Sequence, residues 1–444
     1  MNKGLIFLGF ALAAALGILL FPNGPIAAII GVLLFALTAW VMKLKIKDTE
    51  TLTFLMNVLL ASFIIRTLLA SLIYGLGLEG SFGPDAFTYD DWGNVLANYW
   101  WGAGPPLGTN LNRIGWGMPY IVASIYFVTG KNPLAIQIIS CLLGAATTVL
   151  AYFISKEIFN NNRAARYTAI FVGFFPAMIV WTSQLLKEGF IIFFLALSLL
   201  AALNLQKRFG YSWIAYLLIA LSGLFILRSY IFLMVAVAIV GGFILTSRAS
   251  AENLVSRFVA CVVIAVAFAY MGVWNVSSDQ IEAYGNLDRI QVSRKWASTA
   301  ANSGVVNEET DVSTSGGAIS ALPLGLLNLL LAPFPWQVGS LTQGLTMPEM
   351  ILWWGSLPFL ISGLFYTIKT RFRESISILF FTLILSLTYA IYQGNLGTIY
   401  RQRSQIQVFL LLFTAVGFAL RSEKKEQVSH ALKTHQRMAR MPIR

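Results

Sequence analysis

The sequence predicts an all-α integral membrane protein, a bundle of about twelve transmembrane helices with interfacial helices in its outer loops. Three observations carry this reading. The chain of 444 residues is 57% hydrophobic and only 11% charged. Its apolar residues run in blocks of roughly 17 to 25, the length that crosses a hydrocarbon core of about 30 Å. The basic residues between the blocks fall on alternate sides of such a bundle, as cytoplasmic flanks do.

The first block, 4–22, follows Lys3 and has the shape of a signal segment, but no small-residue cleavage site precedes the next block, so it reads as a retained anchor. The blocks 25–42, 53–76, 133–155, 164–183 and 189–205 follow. The second half supplies 212–228, 230–247, 257–274, 345–368, 375–392 and 405–421. With the N-terminus inside, the inner segments hold 21 Lys+Arg against 7 acids and the outer ones 9 against 12, with Arg66 inside a span. That asymmetry orients the chain with both termini cytoplasmic, in a plasma or bacterial-type inner membrane. Two more apolar stretches, 116–129 and 317–338, are short or broken by Pro323, Pro333 and Pro335, and read as interfacial or re-entrant. Residues 1–427 form one polytopic domain with large outer loops at 77–132 and 275–316. Residues 428–444 are a basic cytoplasmic tail suited to an anionic leaflet.

Composition also excludes chemistry. The net charge of +12 sits beside hydrophobic blocks and in the tail, a membrane pattern that implies no nucleic-acid partner. Cys141 and Cys261 both lie in apolar blocks, where cysteine packs as a small hydrophobe, so neither a disulfide framework nor a thiolate metal site is indicated. His430 and His435, the only histidines, are in the tail. A Ser-His-Asp triad, a Cys-His pair and a histidine-ligated zinc inside the membrane domain are therefore ruled out. Proton transfer falls to carboxylates, tyrosine or lysine.

The run Gly83-Pro84-Asp85-Ala86-Phe87-Thr88-Tyr89-Asp90-Asp91-Trp92 opens the first outer loop with three carboxylates among aromatics. Asp85 is the candidate general base, taking the proton of an acceptor hydroxyl as that oxygen attacks an anomeric carbon. Tyr89, Asp90 and Asp91 are candidate substrate contacts, with a solvated loop as the plainer account of the two aspartates. Glu188, between two spans, is a second candidate catalytic acid, because an acid in that setting is costly to keep; a cap paired with Lys187 is its structural alternative. Lys187, Arg228, Arg401 and Arg403 are candidate cations for a phosphate leaving group, the arginines by bidentate contact. Snorkelling to lipid headgroups is the plainer role for Arg401 and Arg403. Arg66 needs a partner inside the bundle, a carboxylate, a lipid phosphate or a structural pairing.

These motifs resemble the GT-C superfamily of polyprenyl-phosphate-sugar-dependent glycosyltransferases, especially bacterial relatives of the protein O-mannosyltransferases and aminoarabinose transferases. The resemblance covers roughly residues 53–248. It rests on Pro84-Asp85 to Tyr89, Gly117-Met118-Pro119-Tyr120, Gly130-Lys131-Asn132-Pro133, Phe175-Pro176, Trp181-Thr182-Ser183 and Glu188. It implies an essential aspartate at Asp85, interfacial helices after it, a donor entering from the bilayer, and inverting transfer without a nucleotide-sugar site. The chain departs from the family in having Asp85-Ala86 where two adjacent acids are common, two extra spans before the motif, and no large C-terminal outer domain. The partners expected are a polyprenyl-phosphate-linked sugar, an acceptor glycan, lipid or protein, and membrane lipids, with no cofactor or obligatory metal. The alternatives are a polysaccharide polymerase or O-antigen ligase, which would shift weight to Arg401 and Arg403, and a lipid or solute transporter, which lacks support from internal repeats.

Overall fold

The computed structural model describes residues 18–104, 117–207, 210–245, 285–299, 310–339 and 346–439, with isolated positions between 258 and 269 and at 344. Among these, seven helices are long and apolar enough to cross a membrane: α1 (Gly24–Lys45), α2 (Thr49–Gly75), α5 (Pro133–Phe159), α8 (Glu188–Lys207), α13 (Met347–Thr370), α14 (Phe372–Tyr392) and the membrane part of α15 (Leu396–Ala439). A bent pair, α6 (Asn162–Phe174) and α7 (Pro176–Thr182), makes another crossing. Two 17-residue helices, α9 (Tyr211–Leu227) and α10 (Ser229–Leu245), complete ten of the twelve expected spans. The expected spans 4–22 and 257–274 fall largely outside the described residues. The protein is an all-α, multi-pass membrane protein.

Shorter helices cover one end of the bundle. In the first long loop, α3 (Asp85–Trp100) packs on α4 (Gly117–Thr129), whose 13 residues span only about 20 Å, too short to cross. The contact is tight because Gly93 faces Val122: a Cβ at position 93 would stand 2.3 Å from Val122 Cγ1. α11 (Leu287–Thr299) lies in the second long loop, and α12 (Ser315–Leu331) falls mostly in the apolar stretch 317–338 that follows it. Pro323 does not interrupt α12, so the break expected within 317–338 falls at its end, before Pro333.

The connections assign helix ends. The turns after α1, α5 and α13 and the last residue of α8 lie at one end of the bundle, where Arg166 meets Glu50 (2.5 Å), Lys207 meets Glu157 (2.5 Å) and Arg163 meets Glu426 (2.9 Å). The turns 183–187, 228 and 393–395 lie at the other, beside the start of α3.

The span expected over 164–183 is not one helix. Phe175 is extended and the axis bends by 52° at Pro176, which has no N–H to give back to Val172. The carbonyls of Val172 and Gly173 are left without helical donors, and Arg66 supplies them. Its guanidinium donates to Gly173 O (2.8 Å), Val172 O (3.5 Å), Ser62 O (3.1 Å), Ser62 Oγ and Thr182 Oγ1 (2.8 Å), fully buried. Gly144 of α5 leaves the room, since a Cβ there would be 2.9 Å from Arg66 Nε. The partner of Arg66 is thus a broken backbone, and neither a carboxylate nor a phosphate is needed to explain it.

Replacing Arg66 by Met should lower stability by about 2–4 kcal/mol, because buried carbonyls then go unpaired. Unfolding of the purified protein in detergent, followed against temperature, checks this; a midpoint equal to that of the unchanged protein would rule out the carbonyl-capping role.

Candidate active site

Four charged side chains from distant segments meet where α3, α8, α9 and α15 begin or end. Pro84 precedes α3 and leaves Asp85 in its first turn, where free backbone N–H groups favour a carboxylate. Leu186 closes on Gly83, where a Cβ would sit 3.0 Å from it, and so brings the 183–187 turn up to Asp85. Glu188 is the first residue of α8. Its neighbour Gly189 lets α8 start hard against α5, because a Cβ there would fall 2.2 Å from Ser140 Oγ. Arg228 closes the C-terminus of α9, its N–H bonding Leu224 O at 2.7 Å. α15 begins after Asn395, whose Oδ1 accepts from Gly397 N at 2.8 Å, and presents Arg401 one turn later.

Arg401 is the junction. Its Nη1 lies 2.8 Å from Asp85 Oδ2 and its Nε 3.3 Å from Glu188 Oε1. The same Glu188 oxygen receives Arg228 Nη2 at 3.0 Å. Glu188 is 1% exposed and shared between two arginines, whereas Asp85 is 43% exposed. The two acids therefore differ in role: Asp85 is reachable from outside, and Glu188 holds the arginines. Arg228 continues inward through Tyr230 (3.2 Å), Tyr389 (3.3 Å) and Gln405 (2.7 Å).

Lys187 adds a third cation. Its Nζ stands 5.2 Å over the Tyr89 ring and 3.5 Å from Leu227 O. Burial, and then the Arg228 charge, bring its ammonium down to about 8, partly opposed by Glu188 and Asp85. With two carboxylates and three cations, the cluster carries a net +1 at neutral pH.

Of the sequence candidates, Asp85, Tyr89, Lys187, Glu188, Arg228 and Arg401 are brought together. Asp90 and Asp91 lie elsewhere on α3: Asp90 accepts from Tyr126 OH at 2.6 Å and meets Lys131 at 2.9 Å, and Asp91 stands 3.9 Å from Lys131. Arg403 is fully buried on the other side of α15, beside Glu349 and Ala332. Glu349, Tyr230, Tyr389 and Tyr400 were not singled out from the sequence. An acid next to the proline that opens a span, Pro348-Glu349, was the available signal for the first; the tyrosines look like ordinary interfacial aromatics.

Residues 116–274 match the model of a family described as dolichyl-phosphate-mannose-protein mannosyltransferase, just over a third of the chain. The stretch contains Lys187, Glu188 and Arg228 and lies outside Asp85 and Arg401. Among solved structures, the chain is similar to ArnT from Cupriavidus metallidurans, determined bound to undecaprenyl phosphate, with 14% identity and a TM-score of 0.45. The alignment covers 80% of this chain and 63% of that one. No curated protein matches the sequence.

Proposed function

We propose that the protein is a membrane glycosyltransferase of the GT-C type, moving a sugar from a polyprenyl-phosphate carrier to an acceptor at the extracytoplasmic face, with Asp85 as general base. The observation that carries this is the convergence of an accessible aspartate with a cationic cluster, Arg401, Arg228 and Lys187, at one end of a membrane bundle. The family match over residues 116–274 supports the reaction class. The basic residues at the opposite end, including Arg163, Arg166 and Lys207, support an outward-facing site by the positive-inside rule.

In the reaction, the acceptor hydroxyl gives its proton to the Asp85 carboxylate as its oxygen forms a bond to the anomeric carbon. The bond from that carbon to the phosphate oxygen breaks, and the electron pair leaves with the polyprenyl phosphate. The leaving group gains one negative charge, which the cluster is arranged to receive. Arg401 contributes a forked donor, and Lys187 contributes a compact point charge beside the Tyr89 ring. Glu188 keeps the two arginines side by side against their mutual repulsion. The cations supply the charge that a divalent metal would supply elsewhere, so the proposal includes none.

Of Arg401 and Arg403, the two residues on which a polymerase or ligase reading leaned, Arg403 is spent on buried contacts and Arg401 is paired with Asp85, which supports giving Asp85 a place in the reaction.

Asp85→Asn should reduce transfer by about 10²–10⁴-fold while the protein still inserts and binds undecaprenyl phosphate, because the amide accepts no proton. Product formation with a labelled polyprenyl-phosphate sugar is the assay, and an active Asp85→Asn protein would remove Asp85 from the mechanism. Lys187 gives a pH dependence of defined sign. Its ammonium is present below about 8 and lost above it, so binding of undecaprenyl phosphate should weaken as pH rises from 7 to 9. Lys187→Arg should abolish that decline, and an unchanged decline in the variant would assign it to another group.

A further inference from the structure

We propose that Glu349 is a positioning residue for Arg401, acting from behind α15 through Tyr400 and Arg403; the inference rests on the phosphate-binding role given to Arg401 above. Residues two apart on a helix point about 200° apart, so Arg401 and Arg403 project from opposite faces of the same turn. Arg401 reaches Asp85 and Glu188, and the opposite face is gripped by Glu349.

The grip combines one hydrogen bond and one ion pair: Tyr400 OH donates to Glu349 Oε2, and Arg403 Nη2 stands 3.7 Å from Oε1, an oxygen that accepts no hydrogen bond among the described residues. The Arg403 guanidinium also stacks 4.8 Å over the Tyr400 ring, donates from Nη1 to Ala332 O at 2.6 Å and meets Met350 Sδ at 3.1 Å. The Trp181 ring meets Tyr400 at 5.8 Å from the far side. Three elements thus hold one turn: the end of α12, the start of α13 and the 180s segment that leads to Glu188. Glu349 is 3% exposed and Arg403 0%, so the pair lies inside the bundle, away from solvent.

This grip is placed where a small rotation matters. α15 follows the short turn Gln393-Gly394-Asn395, and Asn395 caps its first turn. Tyr400 and Arg403 bracket Arg401 in sequence, so the rotation they set is the rotation that aims its guanidinium. A long side chain turns a small helix rotation into a displacement at its tip, and a displacement of about 1 Å in a reacting site is enough to cost up to 100-fold.

The test is a double-mutant cycle on the full chain in lipid nanodiscs, with undecaprenyl phosphate as the probe and its Kd as the readout. Glu349→Gln removes the charge at constant shape and should weaken binding about tenfold, the size of coupling seen between residues in one network. In an Arg401→Lys background the same change should alter Kd by less than about twofold, because the group it aims is gone. Tyr400→Phe removes one handle and keeps the ring, so it should act in the same direction with a smaller effect, and it completes the cycle if Glu349→Gln fails to fold. Thermal midpoints of all variants are measured alongside. Equal fold-losses in both backgrounds, tracking the midpoints, would reduce Glu349 to a structural residue and overturn the inference while leaving the site reading intact. Undiminished binding by Arg401→Lys alone would instead remove Arg401 from phosphate binding and take both down.

Discussion

A backbone carbonyl inside a membrane protein has no water to turn to, and each proline break in this bundle creates several such carbonyls. At the Pro176 break, Arg66 supplies donors to Val172 and Gly173. At the end of α12, Pro333 and Pro335 have no N–H to return, and the carbonyls of Leu330, Leu331 and Ala332 are taken by Trp353 (2.7 Å), Trp354 (3.0 Å) and Arg403 (2.6 Å). The same solution recurs with different side chains. Two of the most expensive residues to bury, Arg66 and Arg403, are explained by the bends they complete. The Pro176 bend also leads into the 183–187 turn, which lies at the same end of the bundle as Asp85.

The site built there is a problem in charge balance. Arg228 and Arg401 would repel each other at their separation from a common oxygen, and Glu188 between them removes most of that cost. Asp85 offsets part of the remaining charge, and Lys187 adds a third cation, the one with a titratable state in the physiological range. A ligand anion therefore meets a cluster already assembled and held by Glu188, with one charge to spare. Preorganisation of this kind leaves little rearrangement for the moment of reaction.

Block length and hydropathy made the spans legible, and ten of twelve are seen because hydrophobic length is a direct consequence of bilayer thickness. The bend at Pro176 was not, since the blocks on both sides of it are equally apolar and only the missing N–H distinguishes the position. Asp85, Lys187, Glu188, Arg228 and Arg401 stood out because charge beside an apolar block has few inexpensive explanations. Arg66 meets the structural pairing that was one of its expected partners, in the form of backbone carbonyls that no sequence pattern displays; Arg403 lies away from the cluster, beside Glu349 and Ala332 O, and Asp90 and Asp91 lie elsewhere on α3 with Lys131 and Tyr126. Glu349 escaped because its partners, Tyr400 and Arg403, are distant in sequence and belong to a different span.

The helix termini explain why Arg401 depends on its neighbours more than the other charges do. Asp85 and Glu188 sit in the first turns of α3 and α8, where the dipole favours a negative charge, and Arg228 sits at the end of α9, where it favours a positive one. Arg401 lies near the start of α15, the end of a helix that disfavours a cation. Its local backbone gives it no help, so its placement rests on Asp85 and Glu188 in front and on the Glu349 grip behind. A charge held only by its partners is the one most exposed to a change in any of them, so of the charges in the cluster Arg401 is the one whose position depends most on side chains from other segments.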